Sequence, residues 1–232
     1  MKLLKPIRLA ICAVAAGILL YFFPLVRIRK LGSAATPGLV SNTQSEPEIA
    51  APNGTPPPQI TTFVETLWSE RLPQAAGNAA SVDDVLAMAA TDADRARSEF
   101  GREVGLGGPT FLFLRGRGRI ESFNEDECHL IIEGQKQSVT LEIGILLGNA
   151  VRDATGLVSI GEFPNSQEFN RLSAELNQRC ESEVISPVRD SLAVGALVEF
   201  VGCGEVRKNN DFDPLRLVPI QLNAMKPAES TE

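Results

Sequence analysis

Residues 139–177 change from a strand pattern to a helix pattern, and this change restricts the fold more than any other feature. Apolar and polar residues alternate over 139–143, which is typical of a strand with one buried face. Asn165 stands three residues before Glu168, which is the spacing of a capping box at the N-terminus of a helix. The apolar residues that follow recur on one helical face. The stretch therefore predicts a strand, a turn and an amphipathic helix.

Strand patterns lie on both sides of this helix. Three predicted strands precede it and two follow it, at residues 110–123, 128–133, 138–143, 197–201 and 215–222. Three strands, a helix and two strands is the order of the small five-stranded barrel called the OB-fold. Glycines at 116, 118, 202 and 204 suit the bends of such a barrel. We predict an α+β fold with an OB-like five-stranded barrel over residues 109–224 and a helix between strands 3 and 4.

Two helix patterns come before the strands, within residues 60–108. Thr62 begins a capping-box pattern, which predicts a first helix that ends at Pro73. Ser81 predicts the start of a second helix, and Gly101 predicts its end. We therefore predict a small helical domain in front of the barrel.

An uncharged apolar run from Leu9 to Val26 predicts a transmembrane helix. As a helix it would be about 27 Å long, close to the hydrocarbon core of roughly 30 Å. The run is long for a signal peptide and is followed by basic residues, so we predict an uncleaved anchor. The predicted order is a single-pass anchor over 1–31, a proline-rich flexible linker over 32–59 and a disordered tail over 225–232.

The distribution of charge argues against a nucleic-acid partner. The whole chain has a net charge of −7, but the first 30 residues contain six basic residues and no acidic ones. The remaining 202 residues therefore carry 16 basic and 29 acidic side chains, a net charge of −13. Phosphates would repel a body of that charge, so no nucleic-acid partner is predicted.

The sequence contains no recognisable catalytic, metal or cofactor motif. Its four cysteines have no Cys-x-x-Cys spacing, and the single histidine, His129, leaves a zinc site short of ligands. Cys128 and His129 are neighbours on a predicted strand, so their side chains point to opposite faces and cannot form a catalytic pair. We predict no enzyme activity, no metal and no cofactor, with cysteines buried as small apolar groups.

The adjacent pair Arg152-Asp153 is the candidate ligand site, together with Asn149. It lies by a glycine-containing turn between the third strand and the helix, with Gly144 and Gly148 as the turn residues. Such a pair could orient a ligand that carries hydroxyl or carboxylate groups. It could equally bind free backbone groups and hold the shape of the turn.

Several of these motifs resemble one known family. The matching segments are TFVETLW at 62–68, FGR at 100–102, RGRG at 115–118, GNAVRDA at 148–154, QEF at 167–169, FVG at 200–202 and VPI at 218–220. They resemble domain of unknown function 2291, a family of predicted periplasmic lipoproteins, over roughly residues 60–222. Here Cys12 follows Ile11 where a lipid-attachment site needs a small residue, so an uncleaved anchor is expected instead. Ile145 stands where the family tends to have proline.

The resemblance implies a helical domain followed by an OB-like barrel, exported to the periplasm and commonly encoded beside sugar-uptake ABC transporters. We therefore expect a single-pass protein of the bacterial inner membrane, held by Leu9 to Val26, whose periplasmic body is an accessory or binding protein. Its candidate partners are an envelope or transporter protein and a small sugar. The alternatives are a cell-envelope hydrolase or transferase acting on glycan, and a structural spacer in an envelope complex.

Overall fold

The computed structural model describes residues 58–105 and 107–225. The predicted anchor from Leu9 to Val26, Cys12 and the chain after residue 225 lie outside the described residues. Within the described part of the chain, no helix is both long and apolar enough to cross a membrane. The predicted linker is described only at its last two residues, where the first helix already begins.

Seven strands form one sheet, and the five longest close into a barrel. The strands are β1 (Ala80–Ser81), β2 (Gly101–Glu103), β3 (Thr110–Phe123), β4 (Glu127–Ile131), β5 (Ser138–Glu142), β6 (Leu197–Val206) and β7 (Leu215–Met225). The order around the barrel is β3-β4-β5-β7-β6, and β6 pairs again with β3. The pair β5–β7 is parallel, and the other four pairs of this ring are antiparallel.

Helices precede the barrel and interrupt it between β5 and β6. They are α1 (Pro58–Thr66), a π-helical turn (Leu67–Arg71), α2 (Leu72–Ala76), α3 (Val82–Ala89), α4 (Ala93–Phe100), α5 (Ala150–Ala154) and α6 (Ser166–Arg179). The longest, α6, continues as a π-helical turn over Cys180–Ile185. The Asn165 side chain accepts a hydrogen bond from the Glu168 backbone N–H at 2.9 Å, which confirms the predicted start of this helix.

The predicted limits of the first helix are wrong. Helix α1 begins at Pro58, so Thr62 lies inside it. The helical path also continues past Pro73 to Ala76. Pro73 stands at the start of α2, directly after the π-helical turn Leu67–Arg71, and the start of a helix is where proline is best accepted.

The predicted second helix is two helices. Ser81 begins α3 as expected, because its hydroxyl accepts a hydrogen bond from the Asp83 backbone N–H at 3.2 Å. Helix α3 ends at Ala89, however, and the Asp92 side chain begins α4 by accepting from the Arg95 N–H at 2.9 Å. A second N-cap residue inside the apolar pattern therefore divides the helix.

The strand predictions are correct in number and order for the barrel, but β6 and β7 are longer than predicted. Strand β6 runs through Gly202 and Gly204 to Val206, and β7 runs to Met225. At Gly204 an added Cβ would lie 2.7 Å from Leu217 Cδ2, so these glycines allow close packing of the neighbouring strand. The short strands β1 and β2 were not predicted, since each has too few residues to show a period.

One cluster of buried side chains runs through both the helices and the barrel. Val82, Val85 and Leu86 of α3 are fully buried, and α3 lies against β1 and β3. Phe63 of α1 contacts Phe163 at a ring-centroid distance of 5.3 Å, and Phe163 contacts Phe169 of α6 at 5.5 Å. The helices at 58–100 therefore share their core with the barrel.

Cys128, Cys180 and Cys203 are free and buried. Burial raises the pKa of the Cys128 thiol to about 11 and also raises the pKa values of Cys180 and Cys203. The three thiols are therefore protonated at neutral pH and act as small apolar groups, as the sequence predicts.

Candidate functional site

The predicted ligand pair, Arg152 and Asp153, lies in the short helix α5 and not in an open turn. Both residues are 5% exposed. Arg152 Nε donates to Asp153 Oδ1 at 2.8 Å, and Arg152 Nη2 donates to Asp153 Oδ2 at 2.9 Å. Arg152 Nη1 also donates to the Phe169 carbonyl at 3.2 Å, and its guanidinium stacks 3.7 Å above the Phe169 ring. The planar guanidinium of Arg152 thus links α5 to α6.

Asn149 and Gly148 are tied to the same helix. Ser173 Oγ donates to Asn149 Oδ1 at 2.9 Å, and Asn177 Nδ2 donates to the Gly148 carbonyl at 3.1 Å. Gly148 has a φ of +93°, a conformation that favours glycine. Gly144 lies against Asp126, where an added Cβ would come within 2.3 Å of Oδ1. Most polar groups at this corner hold the chain in place, and the groove of about 390 Å³ beside Asn149 has few left for a ligand.

A larger cleft, of about 830 Å³, lies over the outer face of β3, β6 and β7. Strand register explains its lining. Arg117 pairs with Glu199 across β3 and β6, and Glu199 pairs with Asn223 across β6 and β7. Because side chains alternate between the two faces of a strand, these residues form a row on one face.

A second row runs parallel to the first. Ser81 pairs with Arg115, Arg115 pairs with Val201, and Val201 pairs with Gln221, so this row crosses β1, β3, β6 and β7. The two rows lie two residues apart along each strand, about 7 Å. Together they form a polar surface two rows deep, and we call it the sheet-face cleft.

Several side chains of the sheet-face cleft have no hydrogen-bond partner. Arg117 donates to Glu199 through Nε at 3.1 Å and again through Nη2. The Ser81 hydroxyl hydrogen-bonds Asp83. Within the described part of the chain, four other polar side chains of the cleft make no hydrogen bond: Arg115, Glu133, Gln221 and Asn223. Donors and acceptors that converge unpaired on one concavity are the features of a binding site for a small polar molecule.

One edge of the sheet-face cleft is acidic. Asp83, in the first turn of α3, and Glu133, after β4, both line it. Gln135 Nε2 donates to the Asp83 carbonyl at 3.3 Å, which joins the turn after β4 to the start of α3. The cleft therefore has a guanidinium, Arg115, between an acidic edge and the amides of Gln221 and Asn223.

The floor of the cleft depends on Gly116. An added Cβ there would lie 2.3 Å from Val82 Cγ1 and 2.9 Å from Phe200 Cζ. Helix α3 packs so close to β3 that only glycine leaves enough space. Phe200 is 3% exposed, so the floor offers little aromatic surface to a ligand.

A smaller cleft, of about 320 Å³, brings two carboxylates together. Arg216 Nη2 donates to Glu127 at 2.6 Å, and Arg216 Nε donates to Glu142 at 3.0 Å. The hydrogen bond from Arg216 lowers the pKa of Glu127. A general acid needs a raised pKa, so this pair is arranged as an ionic network and not as an acid and a base. His129 Nε2 lies 3.5 Å from Glu127 and its Nδ1 lies 3.0 Å from Thr140 Oγ1.

Among the described residues, no group of three or more His, Cys, Asp or Glu side chains is placed to hold a metal ion. The sheet-face cleft is not among the sites predicted from the sequence. The sequence signal that could have indicated this cleft is Arg115-Gly116-Arg117. On a strand, this alternation places the two guanidiniums on one face and the glycine on the other.

Comparison with known proteins identifies a family and a fold. The family described as predicted periplasmic lipoprotein (DUF2291) matches residues 16–223. A crystal structure of an OB-fold protein from Thermotoga maritima has a TM-score of 0.63 and 22% sequence identity, and the match covers 72% of this chain and 98% of that one. A comparison with curated proteins gave no match. The structural likeness supports the OB-fold assignment of the barrel.

Proposed function

This chain belongs to the family of predicted periplasmic lipoproteins DUF2291, and on that basis we propose that it is a periplasmic binding protein without catalytic activity. Its sheet-face cleft binds a small polar ligand. The observation that carries this proposal is the set of unpaired side chains, Arg115, Glu133, Gln221 and Asn223, that line one concavity. A volume of about 830 Å³ lies in the range of small-molecule sites.

The absence of catalysis is part of the proposal. A glycan hydrolase needs two carboxylates with different protonation states. Glu127 and Glu142 converge, but Arg216 binds both and favours the charged form of Glu127. In the sheet-face cleft, Glu199 is likewise bound by Arg117. These pairings favour binding over acid–base chemistry.

We further propose that an uncleaved helix from Leu9 to Val26 anchors the body on the periplasmic side of the inner membrane. The apolar run and the basic residues after it support this arrangement. Protease added to spheroplasts is expected to release a body of about 20 kDa, the mass left after the anchor and part of the linker are removed. Protection of the full-length chain from protease would contradict this topology.

The physiological role that we propose is accessory to an uptake system, with an envelope or transporter protein as partner. The resemblance to proteins encoded beside sugar-uptake transporters supports it. A structural spacer is the second candidate, because Ile145 is 83% exposed and Leu147 is 80% exposed on the loop after β5. Apolar side chains that are so exposed are typical of a protein contact.

Isothermal titration of the full-length chain in detergent tests the ligand proposal. The panel contains D-glucose, D-glucuronate and each standard L-amino acid. At least one of them is expected to bind, and Asn223→Ala, which removes an unpaired amide from the cleft, should weaken its binding about tenfold. Gln178→Ala, in the groove beside Asn149, is the matched control and should have no effect. Binding that Gln178→Ala abolishes and Asn223→Ala leaves unchanged would place the site in the other groove, and no binding at all would refute the proposal.

A further inference from the structure

We propose that the sheet-face cleft recognises the α-amino and α-carboxylate groups of a zwitterionic ligand, a free amino acid or the end of a short peptide. This inference rests on the proposed function and names the ligand class of the same site. Among the described residues that line the cleft, one cation and one carboxylate have neither an ionic nor a hydrogen-bonding partner. The inference follows from these two groups.

The cation is Arg115. The other guanidinium of the cleft, Arg117, already binds Glu199 through two nitrogens. Arg115 lies in the next row, between Ser81 and Val201, and neither neighbour carries a charge. Its planar fork matches the two oxygens of a carboxylate, which makes it the donor for the carboxylate of the ligand.

The acidic edge of the cleft binds the ammonium group of the ligand. Within the described part of the chain, the Glu133 carboxylate has no partner, and the Asp83 carboxylate accepts a hydrogen bond only from the Ser81 hydroxyl, at 3.5 Å. Asp83 follows Ser81 by two residues, and Ser81 is the strand partner of Arg115, so the acidic edge lies beside the guanidinium. The ammonium and carboxylate groups of an α-amino acid are attached to the same carbon. One ligand can therefore pair its carboxylate with Arg115 and its ammonium with the acidic edge.

A neutral or a singly charged ligand satisfies fewer of these groups. A hexose would leave both Arg115 and Glu133 without an ionic partner. A hexuronate would pair with Arg115 but would bring a third negative charge towards Asp83 and Glu133. The amides of Gln221 and Asn223 lie across the cleft from this edge, where they can hydrogen-bond the side chain of an amino acid or the next peptide group.

The test compares each amino acid that binds with two matched analogues, one that lacks the ammonium and one that lacks the carboxylate. Alanine, for example, is compared with propionate and ethylamine. Titration of the full-length chain should show a loss of affinity of at least about tenfold for either analogue, because each leaves one charged group of the cleft unpaired. Arg115→Ala should weaken amino-acid binding by a similar factor, and Arg115→Lys should restore only part of it.

Glu133→Gln separates the two halves of the proposal. It should weaken binding of the amino acid about tenfold but leave binding of the carboxylate-only analogue unchanged or stronger, because it removes a repulsive charge. Lys136→Ala is the control, since it changes a charge on the same turn outside the cleft lining. If D-glucose binds and no amino acid does, the zwitterion proposal fails while the binding proposal stands. If both analogues bind as tightly as the amino acid, the zwitterion proposal also fails.

Discussion

Arg152→Ala is expected to lower the free energy of unfolding by about 3–5 kcal/mol, the usual cost of removing one partner of a buried ion pair. The change leaves the Asp153 carboxylate buried and without its two hydrogen bonds from the guanidinium. It also removes the donor to the Phe169 carbonyl and the cation above the Phe169 ring. Urea unfolding of the full-length chain, followed by circular dichroism, measures the change.

Two variants provide the controls for this prediction. Arg152→Lys keeps the charge but loses the guanidinium that donates to both carboxylate oxygens. We therefore expect it to lower the free energy of unfolding by about 1–3 kcal/mol. Arg95→Ala removes an exposed arginine that lies 3.3 Å from Glu99, and it should change stability by less than about 0.5 kcal/mol. If Arg152→Ala is as stable as the wild-type protein and loses a ligand, the pair is a binding site and not a structural one.

Gly116→Ala is expected to destabilise the protein by about 1–3 kcal/mol, the typical penalty for overpacking a core. The new methyl group would meet Val82 and Phe200, both of which are buried. Because α3 must move to make room, the acidic edge of the sheet-face cleft should also shift away from Arg115. The variant should therefore bind the ligand of this cleft more weakly even where it remains folded.

Gly77→Ala is the matched control for this glycine. Its added Cβ would have Gln74 O as the nearest atom, at an ordinary 3.7 Å. Its φ of −62° is helical, so alanine should be neutral or should stabilise the protein by up to about 1 kcal/mol. Equal stability of Gly116→Ala and Gly77→Ala would mean that α3 does not pack on β3 as described.

The barrel could be predicted from the sequence because its signals are local. Alternation over 139–143 gave β5, and the spacing of Asn165 and Glu168 gave the start of α6. The helix limits near Thr62 and Pro73 were wrong because capping residues are also tolerated inside a helix, and because proline is tolerated in a first turn. Local patterns alone do not decide between these alternatives.

The sheet-face cleft could not be predicted, because it depends on long-range register. Arg115, Val201 and Gln221 are far apart in the sequence and become neighbours only when β3, β6 and β7 pair. The pair Arg152-Asp153 could be predicted as a candidate site because the two charged residues are adjacent in the sequence. Its burial against Phe169 depends on how α5 meets α6, and no local pattern reports that contact.

Mapping of backbone amide chemical shifts tests most directly the claim that the sheet-face cleft is the binding site. The full-length chain, labelled with ¹⁵N in detergent, is titrated with a mixture of the standard L-amino acids, D-glucose and D-glucuronate. We predict that the largest shifts occur at Ser81, Arg115 and Val201 and that Arg115→Ala removes them. Shifts confined to the groove at Asn149 and Asn177, or no shifts at all, would contradict this claim.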